Sequence, residues 1–188
     1  MKVRVAAAVL LLFVLFAPPV VAQINLRASV PLVVNSVGTG SAYWVAPNTL
    51  RTVAHIAGYP PVYVNGIQAT VLCIDQDTDS ALIRAGDGPA LLEGRVTLQL
   101  RDEVLLVGWP TGQYVEALGT VHGYAINFPY ANGQWVGPIY ILKTGRTEWR
   151  GSSGGVVLKN GLAVATITGG MADLVSAVPI SDSKCQVI

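Results

Sequence analysis

Beyond Gln23 the apolar residues fall in short runs of four to eight, many of them alternating with polar ones, and each run is bounded by Gly, Pro, Asn or Asp. That pattern predicts an all-β chain, because no segment of useful length repeats with the 3.6-residue period of a helix. The expected strands are Leu32–Val34, Ser41–Ala46, Arg51–Ala54, Val62–Val64, Ile67–Ile74, Ala81–Ile83, Thr97–Leu100, Glu103–Gly108, Val115–Tyr124, Gly137–Lys143, Gly155–Leu158, Leu162–Thr168 and Leu174–Val178. Asn65-Gly66 and Asn160-Gly161 are expected to join neighbouring strands directly, since both turn positions need positive φ, whereas Asn132-Gly133 sits in a longer loop. So many short strands exceed one open sheet, and closure into barrels or a sandwich follows. Ala85–Leu100, interrupted by Gly86, Gly88, Pro89 and Gly94, is the expected connection between halves.

Composition narrows this further. Of 188 residues 52% are hydrophobic and 12% charged, about half the usual share of charge, which argues against disorder. The formal charge of +1 includes Lys2 and Arg4, and without them ten bases face eleven acids, so no basic surface is left for nucleic acid. Lys2 and Arg4 precede 18 uncharged residues, Val5–Ala22, ending in small residues suited to cleavage before Gln23. Residues 1–22 therefore read as a secretory signal peptide, with an uncleaved signal anchor as the rival, although Pro18 and Pro19 would break such a helix near its end. Either way residues 23–188 are expected outside the cytoplasm, secreted or periplasmic, with no membrane contact unless the N-terminal segment stays uncleaved. There Cys73 and Cys185 either pair or remain two buried thiols. Too few other ligands accompany them to suggest zinc.

The most informative segment is Gly151-Ser152-Ser153-Gly154-Gly155. A nucleophilic serine needs a tight turn that exposes its Oγ beside converging backbone N–H groups, and glycines permit that backbone. The same residues satisfy the G-x-S-x-G elbow of α/β-hydrolases, but those enzymes place their histidine after the serine. His55 and His122 both precede Ser153, and no acid lies between Gln23 and Ala54, so the order left is His, Asp, Ser. His55, expected at the end of a strand in an apolar setting, is the candidate base, while His122 reads as a surface or core residue. Among Asp75, Asp77, Asp79 and Asp102, the acid that orients the imidazole should be buried, and Asp79 leads into apolar Ala81-Leu82-Ile83. Asp75 and Asp77 read as solvated turn residues.

Together these residues resemble the chymotrypsin-fold (trypsin-like) serine proteases, most closely the HtrA (DegP-like) branch. Gly38-Thr39-Gly40 followed by Thr52-Val53-Ala54-His55 is similar to that branch's glycine and T-x-A-H motifs. Asp75 through Ile83 resembles its aspartate segment, Thr144 through Gly155 the approach to its serine, Asn160–Thr168 the strand behind its specificity pocket, and Ala177-Val178-Pro179-Ile180 its A-I-P segment. The likeness runs from Val33 to Asp182. It departs at Ser80, where leucine usually follows the aspartate, at Val156 in place of proline, and at Ser152, where digestive members carry the aspartate that pairs with a new N-terminus. A zymogen switch of that kind is therefore not expected, nor is a PDZ module after Ile188.

The resemblance implies two six-stranded antiparallel β-barrels, about 28–95 and 96–182, with the active site between them. It implies a serine endopeptidase acting through His55, Asp79 and Ser153, with backbone N–H groups of Gly151 and Ser153 as the oxyanion hole and no metal or cofactor. The pocket would be lined by Thr147, Glu148, Trp149, Thr166, Ile167, Thr168 and Gly169, with Glu148 favouring a basic residue only if it points inward. No histidine lies near Ile167, which argues against the glutamate-specific branch, and small or apolar residues are slightly favoured. The expected partner is a protein or peptide substrate, with the oligomeric state open. Two other functions compete: a protease-like module that grips extended peptides without cutting them, and a protease that acts once on itself.

Overall fold

Alternation of buried and exposed positions along Val115–Ala125 is what a half-solvated strand requires, and the same logic builds most of the sheet structure. The computed structural model describes residues 24–126, 128, 129 and 135–186. The expected signal segment 1–22 and the Asn132-Gly133 loop lie outside them. A one-turn helix α1 (Leu26–Ser29) leads into β1 (Leu32–Val34), β2 (Thr39–Ser41), β3 (Tyr43–Ala46) and β4 (Thr49–Thr52). A second one-turn helix, α2 (Ala54–Ala57), precedes β5 (Tyr63–Val64), β6 (Ile67–Gln68), β7 (Thr70–Asp75) and β8 (Ser80–Arg84). The remaining strands are β9 (Glu103–Gly108), β10 (Val115–Ala125), β11 (Phe128–Pro129), β12 (Trp135–Val136), β13 (Ile139–Thr144), β14 (Val156–Lys159), β15 (Leu162–Met171) and β16 (Leu174–Pro179).

The first eight strands form two four-stranded antiparallel sheets, ordered β2-β1-β5-β6 and β3-β4-β8-β7. The expected strands Ser41–Ala46 and Ile67–Ile74 each bend, at Ala42 and at Ala69. At both bends the N–H keeps an acceptor on the neighbouring strand segment, Pro31 O at 3.2 Å and Val62 O at 2.8 Å. Because β2 runs into β3 and β6 into β7, six chain segments enclose one apolar core that includes Val33, Trp44, Leu50, Val53 and Ile83. The second half closes fully as β10-β13-β16-β15-β14-β9 around Leu106, Leu142, Trp149, Val157 and Ile167. The fold is all-β with two barrel-like halves.

Both Asn-Gly hairpin turns form as the backbone requirement predicts: Asn65 and Gly66 have φ of 48° and 81°, Asn160 and Gly161 of 52° and 79°. Thr97–Leu100 is not a strand. Its Leu98 side chain is buried in the second barrel, the Leu98 N–H donates to the Tyr140 hydroxyl at 3.1 Å and the Gln99 N–H to Asp102 Oδ2 at 2.9 Å, so side chains take the bonds a neighbouring strand would have made. Arg51–Ala54 ends earlier than expected, and Ala54 already belongs to α2.

A third apolar cluster, with Val30, Tyr43, Leu91, Val107, Val156 and Ile180, seals the halves together. Within this seam Tyr43 Oη and Thr166 Oγ1 share a hydrogen bond of 2.9 Å. Fully buried Arg51 forks onto Glu93 at 2.6 and 3.2 Å and donates to Cys185 O at 2.9 Å, satisfactions that an interior guanidinium requires. Cys73 and Cys185 are joined by a disulfide, which pins the C-terminal tail to β7.

Candidate active site

His55 sits in the first turn of α2 rather than at a strand end, because β4 stops at Thr52 and Val53, still extended, is already the N-cap of the helix. Asp79 lies in the turn between β7 and β8 with φ 47°, a left-handed conformation that aspartate tolerates better than most residues. The two residues meet twice. Asp79 Oδ1 accepts the His55 backbone N–H at 2.9 Å, and Oδ2 lies 2.7 Å from His55 Nδ1. A carboxylate there holds the proton on Nδ1 and leaves Nε2 as the basic nitrogen. Asp79 is buried, whereas 38% of the His55 side chain is exposed, as a base that must reach substrate requires.

Ser153 comes from the other half. Its carbonyl accepts the Ser41 N–H at 2.7 Å, which stitches the nucleophile turn to β2. A Cβ on Gly40 would lie 3.0 Å from both Ser153 O and the Ile56 side chain, so Ser153 packs beside the helical turn that carries His55. The Ser153 hydroxyl donates to Thr168 O at 3.0 Å.

The turn around the serine disposes its N–H groups unequally. Ser152 N–H donates to Trp149 O, Gly154 N–H to Ile167 O and Gly155 N–H to Ser152 O. Among the described residues the N–H groups of Gly151 and Ser153 have no acceptor. Arg150 O accepts the Thr111 N–H at 2.8 Å, and the planar peptide therefore turns the Gly151 N–H the opposite way, out of the protein wall. Two free donors beside one hydroxyl make a site able to receive a developing oxyanion.

The other sequence candidates separate. Asp75 is buried and not solvated: it accepts from Thr78 Oγ1 at 2.5 Å, Lys184 N at 2.9 Å and Asp77 N at 3.2 Å. Burial alone would raise its pKa, but these hydrogen bonds hold the carboxyl below its ordinary value. Asp77 is exposed and ion-paired with Lys184. His122 is exposed on β10, and Asp102 pairs with Lys159 at 3.1 Å. Of the pocket candidates, Trp149 and Ile167 belong to the second barrel's core, with the indole N–H donating to Thr144 Oγ1 at 2.9 Å. Thr166 bonds Tyr43, Thr168 Oγ1 bonds Ser176 Oγ at 2.9 Å, and Gly169 faces Ser176. Thr147 and Glu148 are exposed, and Glu148 Oε1 accepts the Arg150 N–H at 3.1 Å instead of pointing inward. Sequence reasoning does not find Ser41, Trp109 and Thr111, because their contributions are made largely by backbone groups whose partners lie far off in the chain. Among the described residues no group of three or more His, Cys, Asp or Glu converges on a point.

No family model and no curated protein matches the sequence. Solved structures do. The Mycobacterium tuberculosis protease Rv3671c in its active form superposes with a TM-score of 0.71 at 20% identity, over 82% of this chain and 77% of that one. The fold is shared with HtrA-type serine proteases. Deg5 aligns with a TM-score of 0.64 at 18% identity over 82% of this chain and 84% of its own. The HtrA-type protease AlgW with a tripeptide aligns at 0.68 and 21% identity over 82% of this chain and 57% of its own. The protease fold thus covers most of the described chain, and it puts His55 and Asp79 in the first half and Ser153 in the second.

Proposed function

We propose that the chain is an exported serine endopeptidase in which His55, Asp79 and Ser153 hydrolyse peptide bonds. The observation that carries this reading is the double contact of Asp79 with His55, which prepares Nε2 as a base, in a fold shared with proteases. Ser153 Oγ gives its proton to His55 Nε2 as it attacks the carbonyl carbon. Gly151 and Ser153 N–H groups receive the oxyanion, each donor worth about 3–4 kcal/mol. Collapse of the tetrahedral intermediate breaks the C–N bond, and His55 returns the proton to the leaving amine. Water then repeats the sequence on the acyl-enzyme. An extended substrate would lie beside Gly169-Gly170 at the end of β15, the side of that strand beyond its pairing with β14. Export is supported by the N-terminal pattern and by the Cys73–Cys185 disulfide, which persists in oxidising compartments.

One observation favours the rival reading of a peptide-gripping module: the Ser153 hydroxyl donates to Thr168 O at 3.0 Å. Giving up that bond costs about 1 kcal/mol, small beside the barrier that a triad lowers. Digestion of a proteome-derived peptide library, with new N-termini read by mass spectrometry, tests the proposal. Turnover that vanishes in Ser153→Ala supports it. Retention of intact peptides by a protein that cuts none of them moves the function to the binding module, and a single cut in the chain itself moves it to self-processing.

A further inference from the structure

Trp109 is held at several points. Its indole N–H donates to Val30 O at 2.6 Å, its backbone N–H donates to Ser41 Oγ at 3.0 Å, and its ring meets Tyr114 edge-on at 5.4 Å between centroids. The Arg27 guanidinium lies 5.7 Å from the Trp109 ring centre and 5.5 Å from that of Tyr114, within cation–π range of both. Leu26 packs into the same apolar cluster. From outside its own loop, the polar and cation–π contacts to Trp109 come from Ser41 and the segment Leu26–Val30.

The position of Trp109 sets the next few residues. Its carbonyl accepts the Gly112 N–H at 3.1 Å, closing a tight turn in which Thr111 is left-handed, with φ 53° and ψ 24°. Such a conformation persists in a residue with a Cβ only when its surroundings impose it. Thr111 N–H is the donor to Arg150 O, the bond that aims the Gly151 N–H. A Cβ on Gly151 would sit 3.4 Å from Thr111 N and 3.6 Å from Trp109 O, so the turn is the wall against which that peptide rests.

We propose that Leu26–Val30 is a positioning element of the catalytic site: through Arg27 and the Val30 carbonyl it fixes Trp109, and with it the turn that aims the Gly151 N–H. The inference rests on the proposed function, since the Gly151 donor matters only if an oxyanion forms. Arg27 and Trp109 touch no reacting atom, and their effect reaches the chemistry through the backbone of Thr111 and Arg150.

The test is the rate of phosphonylation by a fluorophosphonate, whose P=O oxygen needs the same donors, measured across pH for the wild type, Arg27→Ala, Arg27→Lys and Trp109→Phe. Thermal melting identifies the folded variants. Arg27→Ala should slow labelling about two- to fivefold, the size of an exposed cation–π contact, while Arg27→Lys keeps the cation and restores most of it. Trp109→Phe keeps the ring and loses the indole donor, and should slow labelling about fivefold or more. The pH midpoint, which reports His55, should not move. Wild-type rates in the folded variants would overturn the inference, as would a shifted midpoint, which puts the effect on the base. If Trp109→Phe fails to fold, the two Arg27 variants decide. Absence of a Ser153 adduct in the wild type sinks the proposed function and this inference with it, whereas a normal wild-type adduct with unaffected variants sinks the inference alone.

Discussion

At Gly154 the second half lies directly against the first, and Gly154→Ala measures what that close approach is worth. Its φ is +86°, and a Cβ there would lie 1.9 Å from Ser41 O and 2.4 Å from Thr52 Oγ1. Neither neighbour is free to retreat. Thr52 Oγ1 donates to Ser41 O at 2.8 Å, and Ser41 N–H holds Ser153 O at 2.7 Å, so any shift that admits a methyl group breaks this pair. The left-handed backbone costs about 1 kcal/mol, overpacking about 2 kcal/mol, and two hydrogen bonds about 1 kcal/mol each. The total of about 5 kcal/mol corresponds to a fall of about 10–20 °C in Tm for a domain of this size. Gly161→Ala is the matched control, because its φ is +79° with nothing within 4 Å of the added methyl, and it should lose only about 2–4 °C. Differential scanning calorimetry of both variants, with fluorophosphonate labelling, reads stability and site together. Equal losses in the two variants, or wild-type labelling in Gly154→Ala, would refute the reasoning that the seam fixes the serine turn.

Three further outcomes follow from the same structure. Asp79→Asn should fold but slow fluorophosphonate labelling about ten-thousandfold, by leaving the wrong histidine tautomer, and a rate within tenfold of the wild type would remove Asp79 from its role. Cys185→Ser opens a loop of 112 residues, for which chain entropy gives about 5 kcal/mol, so calorimetry should show a loss of about 10–20 °C, matched by reducing the wild type. Asp75→Asn should cost about 2 kcal/mol at pH 7. Because the folded carboxyl is held below its ordinary value, that stability is present above the unfolded pKa of about 4 and disappears as pH falls through the lower folded value. Melting curves for Asp75→Asn and the wild type should therefore converge on acidification.

Features that depend on local chemistry are legible in the amino-acid sequence alone. Two Asn-Gly pairs specify their hairpins because both turn positions need positive φ, and the order of His55, Asp79 and Ser153 excludes the alternative hydrolase arrangements. Features set by distant partners are not legible in this way. Asp75 resembles any turn aspartate until Lys184, 109 positions later, donates to it. Thr97–Leu100 has the alternation of a strand, but Tyr140 and Asp102 take its hydrogen bonds. Trp149 falls in the stretch that would line a pocket, yet its indole finds Thr144 and the ring goes into the core. The bends at Ala42 and Ala69, which make two sheets enclose one core, leave no mark in the pattern of apolar residues.

The central claim is that Ser153 is a nucleophile activated by His55. Residues 23–188 are incubated with a fluorophosphonate beside Ser153→Ala and His55→Ala, and any adduct is located by peptide mass spectrometry. The account predicts one adduct, on Ser153, abolished in both variants. Folded wild-type protein that carries no adduct, or one that persists in His55→Ala, would contradict it.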